Sequence, residues 1–269
     1  TTSVTAGSRE RIRGRLSAAS YSTIAADRDN DHRLMYRFAF DIDNISDSRF
    51  SAESYVNYRQ LFPSEPKAYP QQTEFFNVYS LALSYAPDST STITIGRKIN
   101  NNAASIGAID GLQAEKTFGR FFAGAIAGSR PDIQDYGLDP ALLQYGGYVG
   151  SIIKTAGVDS RTTLGLLQQN NAGAVDRRYT YFQHASTIGR NLNLFSSFEL
   201  DLFNPATGQV RLTNLYFSSK YRFSRKLDVF ASYDSRRRIV YYETYRSDVE
   251  MLLDDDEARQ GARVRLTFK

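Results

Sequence analysis

The sequence predicts an all-β chain of roughly 14 antiparallel strands, and three observations predict it. Apolar and polar side chains alternate with a period of two from near one end of the 269 residues to the other. Clusters of Gly, Pro, Asn, Asp and Ser interrupt the alternation at intervals that suit turns. Apolar runs such as Phe121–Gly128 stop at strand length, far short of the roughly 18–20 residues of a membrane helix. A helical membrane protein is thereby excluded. A transmembrane β-barrel is not, because its lumen face is polar and averages with its lipid face.

The strands follow in order. Alternation begins softly at Ile12–Ile24 and breaks at the turn Asp27–Asp31. Next, Leu34, Tyr36, Phe38, Phe40 and Ile42 share one face, opposite Met35, Arg37, Ala39 and Asp41. After the turn Asp43–Ser48 comes Phe50–Tyr58, then an irregular connection, Leu61–Thr73, that holds three prolines. Val78–Tyr85 and Ser91–Ile95 flank Pro87-Asp88, and Asn100–Asn102 forms a loop. Gly107 to Gly111, followed by Gly119, Gly124 and Gly128, lacks the GK[ST] of a phosphate loop, so these glycines mark bends or close packing.

Arg130–Pro140 reads as a loop. Leu142–Ile153 is a strand whose Tyr145-Gly-Gly-Tyr148 suits close approach of an inward side chain. Thr162–Leu167, Arg177–Ser186 and Leu194–Leu202 follow, separated by the turns Thr155–Ser160, Asn170–Gly173 and Asn204–Gly208. In Asn214–Phe223, Leu215, Phe217, Ser219, Tyr221 and Phe223 oppose Asn214, Tyr216, Ser218, Lys220 and Arg222. Leu227, Val229, Ala231 and Tyr233 oppose Asp228, Phe230, Ser232 and Asp234. Ser247–Gln260 predicts a helix capped by Ser247, and Val264, Leu266 and Phe268 close the pattern. Residues 1–269 form one meander without a linker, a single β domain.

Soluble sandwiches also alternate. What separates this chain from them is charge in mid-strand: Arg37, Asp41, Glu53, Asn57, Arg59, Glu199 and Asp201 stand where a watery lumen tolerates them. Eighteen Tyr, 17 Phe and no Trp supply amphipathic rings for a membrane–water boundary. The pattern resembles that of bacterial outer-membrane β-barrels, porin-like proteins included, over nearly the whole chain. That resemblance implies a closed barrel in the outer membrane of a Gram-negative cell, in contact with outer-membrane lipid and with other outer-membrane or periplasmic subunits. Those barrels usually finish on an aromatic residue. Here Phe268 precedes Lys269, and Thr1–Ala6 shows no signal peptide, so truncation at one or both ends is expected.

The expected function is a porin-like channel or a structural barrel in an outer-membrane assembly. Lumen-facing Arg37, Arg59, Lys220 and Arg222, against Asp41, Glu53, Glu199 and Asp201, would set a transverse field across a pore. Inward Tyr55, Phe182 and Phe230 would fill the lumen and favour the structural role. A net charge of +4 is too mild to point to nucleic acid. Two histidines and no cysteine leave no zinc cluster, and Asp254–Glu257 lacks the ligand spacing of a calcium loop, so neither metal nor cofactor is expected. Arg236–Arg238 reads as a solvated turn-proximal cluster, and His32 as a surface residue.

Two other functional classes compete. His184 and Ser186 lie on one strand face, the pairing used by outer-membrane lipid hydrolases, with Asn191 and Asn193 nearby to orient the ring. Their side, shared with Arg178, Thr180 and Phe182, is expected to look into the lumen, away from lipid, and no enzyme is expected. The other class is a soluble all-β glycan-binding module that uses exposed tyrosines.

Overall fold

The computed structural model describes residues 9–24, 31–63, 73–103, 106–132, 136–205, 208–243 and 258–268. Fourteen strands make one antiparallel sheet whose spatial order is the chain order. They are β1 (Arg11–Thr23), β2 (Asp31–Asp43), β3 (Phe50–Pro63), β4 (Glu74–Tyr85), β5 (Ser91–Ile99), β6 (Ala108–Phe118) and β7 (Phe121–Ser129). Then come β8 (Leu142–Lys154), β9 (Val158–Asn171), β10 (Ala174–Ile188), β11 (Leu192–Asp201), β12 (Arg211–Arg222), β13 (Leu227–Arg236) and β14 (Arg259–Phe268). No described helix is long and apolar enough to cross a membrane.

The chain divides into two compact units. The first holds residues 1–100, 107–112 and 129–139; the second holds 101–106, 113–128 and 140–269.

In the first unit, registry fixes which side chains share a face. Ile12 pairs with Ile42, Leu16 with Phe38 and Phe38 with Val56, while Arg13 pairs with Asp41 and Asp41 with Glu53. An apolar face and a charged face result, as the alternation requires. The apolar face is the bare one: Leu16 is 76% exposed, Phe76 64% and Leu81 60%. The second unit repeats this, with Val264 73% exposed on the apolar face and Tyr181 fully buried on the polar one.

Three β-bulges interrupt the ladders among the described pairings. The extra residues are Tyr79 opposite Tyr55/Val56, Asp176 between Val175 and Arg177, and Thr213 opposite Glu199/Leu200. Each bulge places two successive side chains on the polar face, where strict alternation would allow one. Between β9 and β10 the turn is two residues, Ala172 and Gly173, both at positive φ (48° and 91°), the hairpin geometry that matches strand twist.

Several expectations shift at their edges. Gly107 to Gly111, read as a glycine-marked stretch, runs into β6, with Gly107 just before the strand and Gly111 inside it. β3 continues through Leu61 and Phe62 to Pro63; residues 64–72 of the expected connection lie outside the described residues. Arg259 and Gln260 belong to β14, not to a helix, because they pair with Arg236 and Ser235. Residues 247–257 of that expected helix, with the Asp254–Glu257 run, lie outside the described residues, as do Thr1–Ala6, Asp27 and Lys269.

Candidate functional site

On the polar face of β1–β3, Arg11, Arg13, Arg15, Arg33, Arg37 and Arg59 stand against Asp41, Asp43 and Glu53. Arg11 and Arg13 share the buried carboxylate of Asp43, at 3.1 and 3.3 Å. Glu53 binds Lys98 at 2.7 Å and accepts from the Ser80 hydroxyl at 2.9 Å. Arg59 lies 4.2 Å over the Phe75 ring, and Arg33 lies 4.9 Å over Tyr21. Arg37 is exposed opposite Asn57. The Nε atoms of Arg33 and Arg59 have no hydrogen-bond partner among the described residues.

The second unit gathers its charges differently. Arg177 donates to Asp201 at 2.9 Å and to Glu199 at 2.8 Å, and its guanidinium lies 3.9 Å over the Tyr179 ring. Beside it Asp176, fully buried, accepts from Gln169 at 2.6 Å. The segment that leaves β13 crosses to this point. Arg237 N–H donates to the Thr213 carbonyl, Tyr242 N–H to the Asp176 carbonyl at 3.2 Å, and Glu243 N–H to the Asp176 carboxylate at 2.8 Å. Phe203 meets Tyr242 edge-on at 5.6 Å. A strap of residues 237–243 is thus pinned on β10 by a bulged aspartate. Farther along, Arg222 and Lys220 reach Asp228 at 3.2 and 3.9 Å.

Of the eight expected residues, the structure joins Glu199 with Asp201 on Arg177, and Lys220 with Arg222 on Asp228. Arg37, Asp41, Glu53 and Arg59 share one face, where Glu53 binds Lys98 and Arg59 lies over Phe75. Arg177, Asp176 and Asp228 complete these clusters and were not among the expected residues. The sequence carried no signal for Arg177, because the burial of Glu199 and Asp201 that demands a cation, and the bulge at Asp176, emerge only on folding.

The facing of β10 is corrected. Phe182, His184 and Ser186 stand on the apolar face: Phe182 pairs with Leu164 and Phe198, stacking on the latter at 4.9 Å, and Ser186 pairs with Leu194. The buried face is that of Tyr179 and Tyr181, beside Gln144, Leu167 and Gln169. Arg178 misled, because a charge near a strand end can sit at the apolar face's polar margin, where it donates to Gln168. Phe182 therefore does not fill the polar side. Tyr55 does face it, stacked on Tyr79 at 5.3 Å, and so does Phe230, 5.8 Å from Arg265. His184 Nε2 lies 3.1 Å from Ser186 Oγ, and its Nδ1 lies 2.8 Å from Thr162 Oγ1. Thr162, not Asn191 or Asn193, orients the ring. His32 is exposed, bonded to Ser22 at 2.9 Å.

Within the first unit, a cavity of about 860 Å³ borders β4, β5 and the start of β6. Its lining includes Glu74 to Val78, Leu81, Ile95, Tyr136 and Leu138, with Arg97 and Asp110 among them. Arg97, 9% exposed, pairs with both carboxylate oxygens of Asp110 and donates to the Val78 carbonyl at 2.8 Å and to the Tyr136 carbonyl.

No family model matches the sequence, and no curated protein matches it. Among solved structures the chain is similar to outer-membrane β-barrel porins. OmpF of Salmonella typhi, solved in complex with daunomycin, is 12% identical, with 87% of this chain and 81% of that one covered and a TM-score of 0.43. OmpT, an outer-membrane protein of Vibrio cholerae in its trimer form, is 10% identical over 97% of this chain and 100% of that one, with a TM-score of 0.38. OccAB4 of Acinetobacter baumannii is 11% identical over 97% and 93%, with a TM-score of 0.32.

Proposed function

We propose that the chain is an integral outer-membrane β-barrel, acting as a porin-like channel or as a structural barrel in an outer-membrane assembly. One observation carries this: large apolar side chains such as Leu16, Phe76, Leu81 and Leu164 are exposed, while Arg177, Glu199 and Asp201 on the charged face are buried against one another. Water would reverse that preference, whereas hydrocarbon rewards it. Hydrocarbon also cannot satisfy an open strand edge, so the reading requires β1 and β14 to find partners, in this chain or another. The test is migration on a denaturing gel, boiled against unboiled, of full-length protein extracted from membranes. A shift supports a closed barrel; none, with the protein in the aqueous fraction, favours the soluble glycan-binding reading.

Channel and scaffold separate by conductance across a planar bilayer. Among the described side chains of β1–β3, six arginines against three acids favour anions at a water-filled wall. Current steps with anion preference support the channel, and silence supports the scaffold.

The contact between His184 and Ser186 on the apolar face favours a second reading, an ester hydrolase acting at the lipid boundary. The imidazole would take the serine proton as Oγ attacks an ester carbonyl and return it to the departing alcohol, and water would then release the fatty acid from the acyl-serine, with Thr162 holding the other ring nitrogen. Fatty-acid release from phospholipid vesicles, lost in Ser186→Ala, supports it; equal release from both proteins, or none from either, removes it.

A further inference from the structure

Among the described residues, the ladder between β4 and β5 is short. β5 pairs with β4 over Leu81–Tyr85, so the stretch Glu74–Ser80 continues beyond that ladder. The reason lies in two local devices. The bulge at Tyr79 turns β4, and Gly96, at φ +112°, brings β5 so close that a Cβ there would collide with the Leu81 carbonyl oxygen. Immediately after Gly96, Arg97 turns to Asp110 and caps the Val78 carbonyl. The cavity described above lies in the space so left.

Its position follows from its lining. Five consecutive residues, Glu74 to Val78, border it. Successive strand side chains point to opposite faces, so a cavity that touches all five runs along the strand edge and meets both faces. Phe76, Leu81, Ile95 and Leu138, each at least 60% exposed, stand around it with Phe75 and Val78. A volume of about 860 Å³ falls within the roughly 300–1,000 Å³ of small-molecule sites.

The charges say what it would accept. Arg97, the cation of the lining, is engaged on both oxygens of Asp110 and so offers no free charge to an anionic head. A phosphate or carboxylate head is disfavoured there. Tyr58 and Asn77 offer neutral hydrogen-bonding groups beside the apolar side chains.

The geometry points to a binding site for an uncharged single-chain amphiphile, its aliphatic chain lying along the β4 edge against Phe76, Leu81, Ile95 and Leu138. This site rests on the membrane reading of the apolar face. It differs from the general lipid coat in being concave and in reaching the β4 edge.

The test uses the full chain in phosphatidylcholine vesicles that contain a monoacylglycerol with a diazirine in its acyl chain. After photolysis, labelled residues are mapped by mass spectrometry. The expected result is label on residues 74–81 and 136–138 several-fold above that on the exposed Leu164 and Leu166 of β9, and lowered by Leu81→Trp, which fills the cavity. Label distributed evenly between the β4 region and β9 would overturn the site while leaving the membrane reading intact. Label on neither would overturn the membrane reading and the site with it.

Discussion

Arg177 shows how much one side chain can organise. It joins two carboxylates, a hydroxyl and an aromatic face on three neighbouring strands. Truncating it would strand Glu199 and Asp201 without their cation, a loss on the order of 3–5 kcal/mol. Arg177→Ala is therefore expected to lower the denaturant midpoint in micelles well below that of Arg37→Ala, whose side chain is exposed. A second residue-scale expectation concerns the β4–β5 turn. Asp88 accepts from the Thr90 hydroxyl and backbone and from Ser91, which together hold its carboxyl at about 2, below the usual 3.8. A depressed carboxyl stabilises the fold above its unfolded value and loses that contribution as pH falls through its folded one. NMR titration should give a midpoint near the lower value, and Thr90→Ala should move it up toward 3.8.

At the scale of elements, close packing and bulges decide what the sequence could reveal. β2 and β13 were legible because each alternates without interruption between flanking turns, and β12 was legible from Asn214 onward, past its bulge at Thr213. β10 was not. Its bulge at Asp176 changes which parity faces which way, and its polar end, Arg178, imitates a lumen-facing residue. The same bulge concealed Asp176 and Arg177, which a strict period of two would never place together. The glycines of β7 and β8 were legible as close-packing positions, but not their partners. A Cβ at Gly124 would strike the Tyr148 ring, and one at Gly150 would strike Phe122 and the Thr162 carbonyl. Gly150→Ala should cost about 1–3 kcal/mol, read as a lower unfolding temperature, with Gly157→Ala, in open space, as the control. The strap of residues 237–243 carries a further expectation. Asp176→Ala removes the acceptor for the Glu243 amide, so amide exchange at Tyr242 and Glu243 should accelerate while β12 stays protected.

For the whole molecule, the division of labour between faces is the main fact. One face is apolar and bare; the other is charged and satisfied largely by its own pairs. That division was legible from alternation alone, since it needs no knowledge of which strands are neighbours. Which charges meet was not legible, because contacts such as Lys98–Glu53 join residues far apart in the sequence and depend on register. If the barrel conducts, reversing the arginine excess with Arg37→Glu and Arg59→Glu should shift its ion preference from anions toward cations. The reversal potential under a salt gradient measures it. An unchanged potential would place the conducting path away from β1–β3.

The order of the sheet has a consequence for how such a chain comes into being. In the sheet each strand is laddered beside those before and after it in sequence. No segment has to thread past another, and each new strand closes only a short loop onto one already in place. Growth can thus proceed one hairpin at a time, and gain or loss of a hairpin by gene duplication or deletion would change the girth of the sheet without altering how any remaining strand is joined.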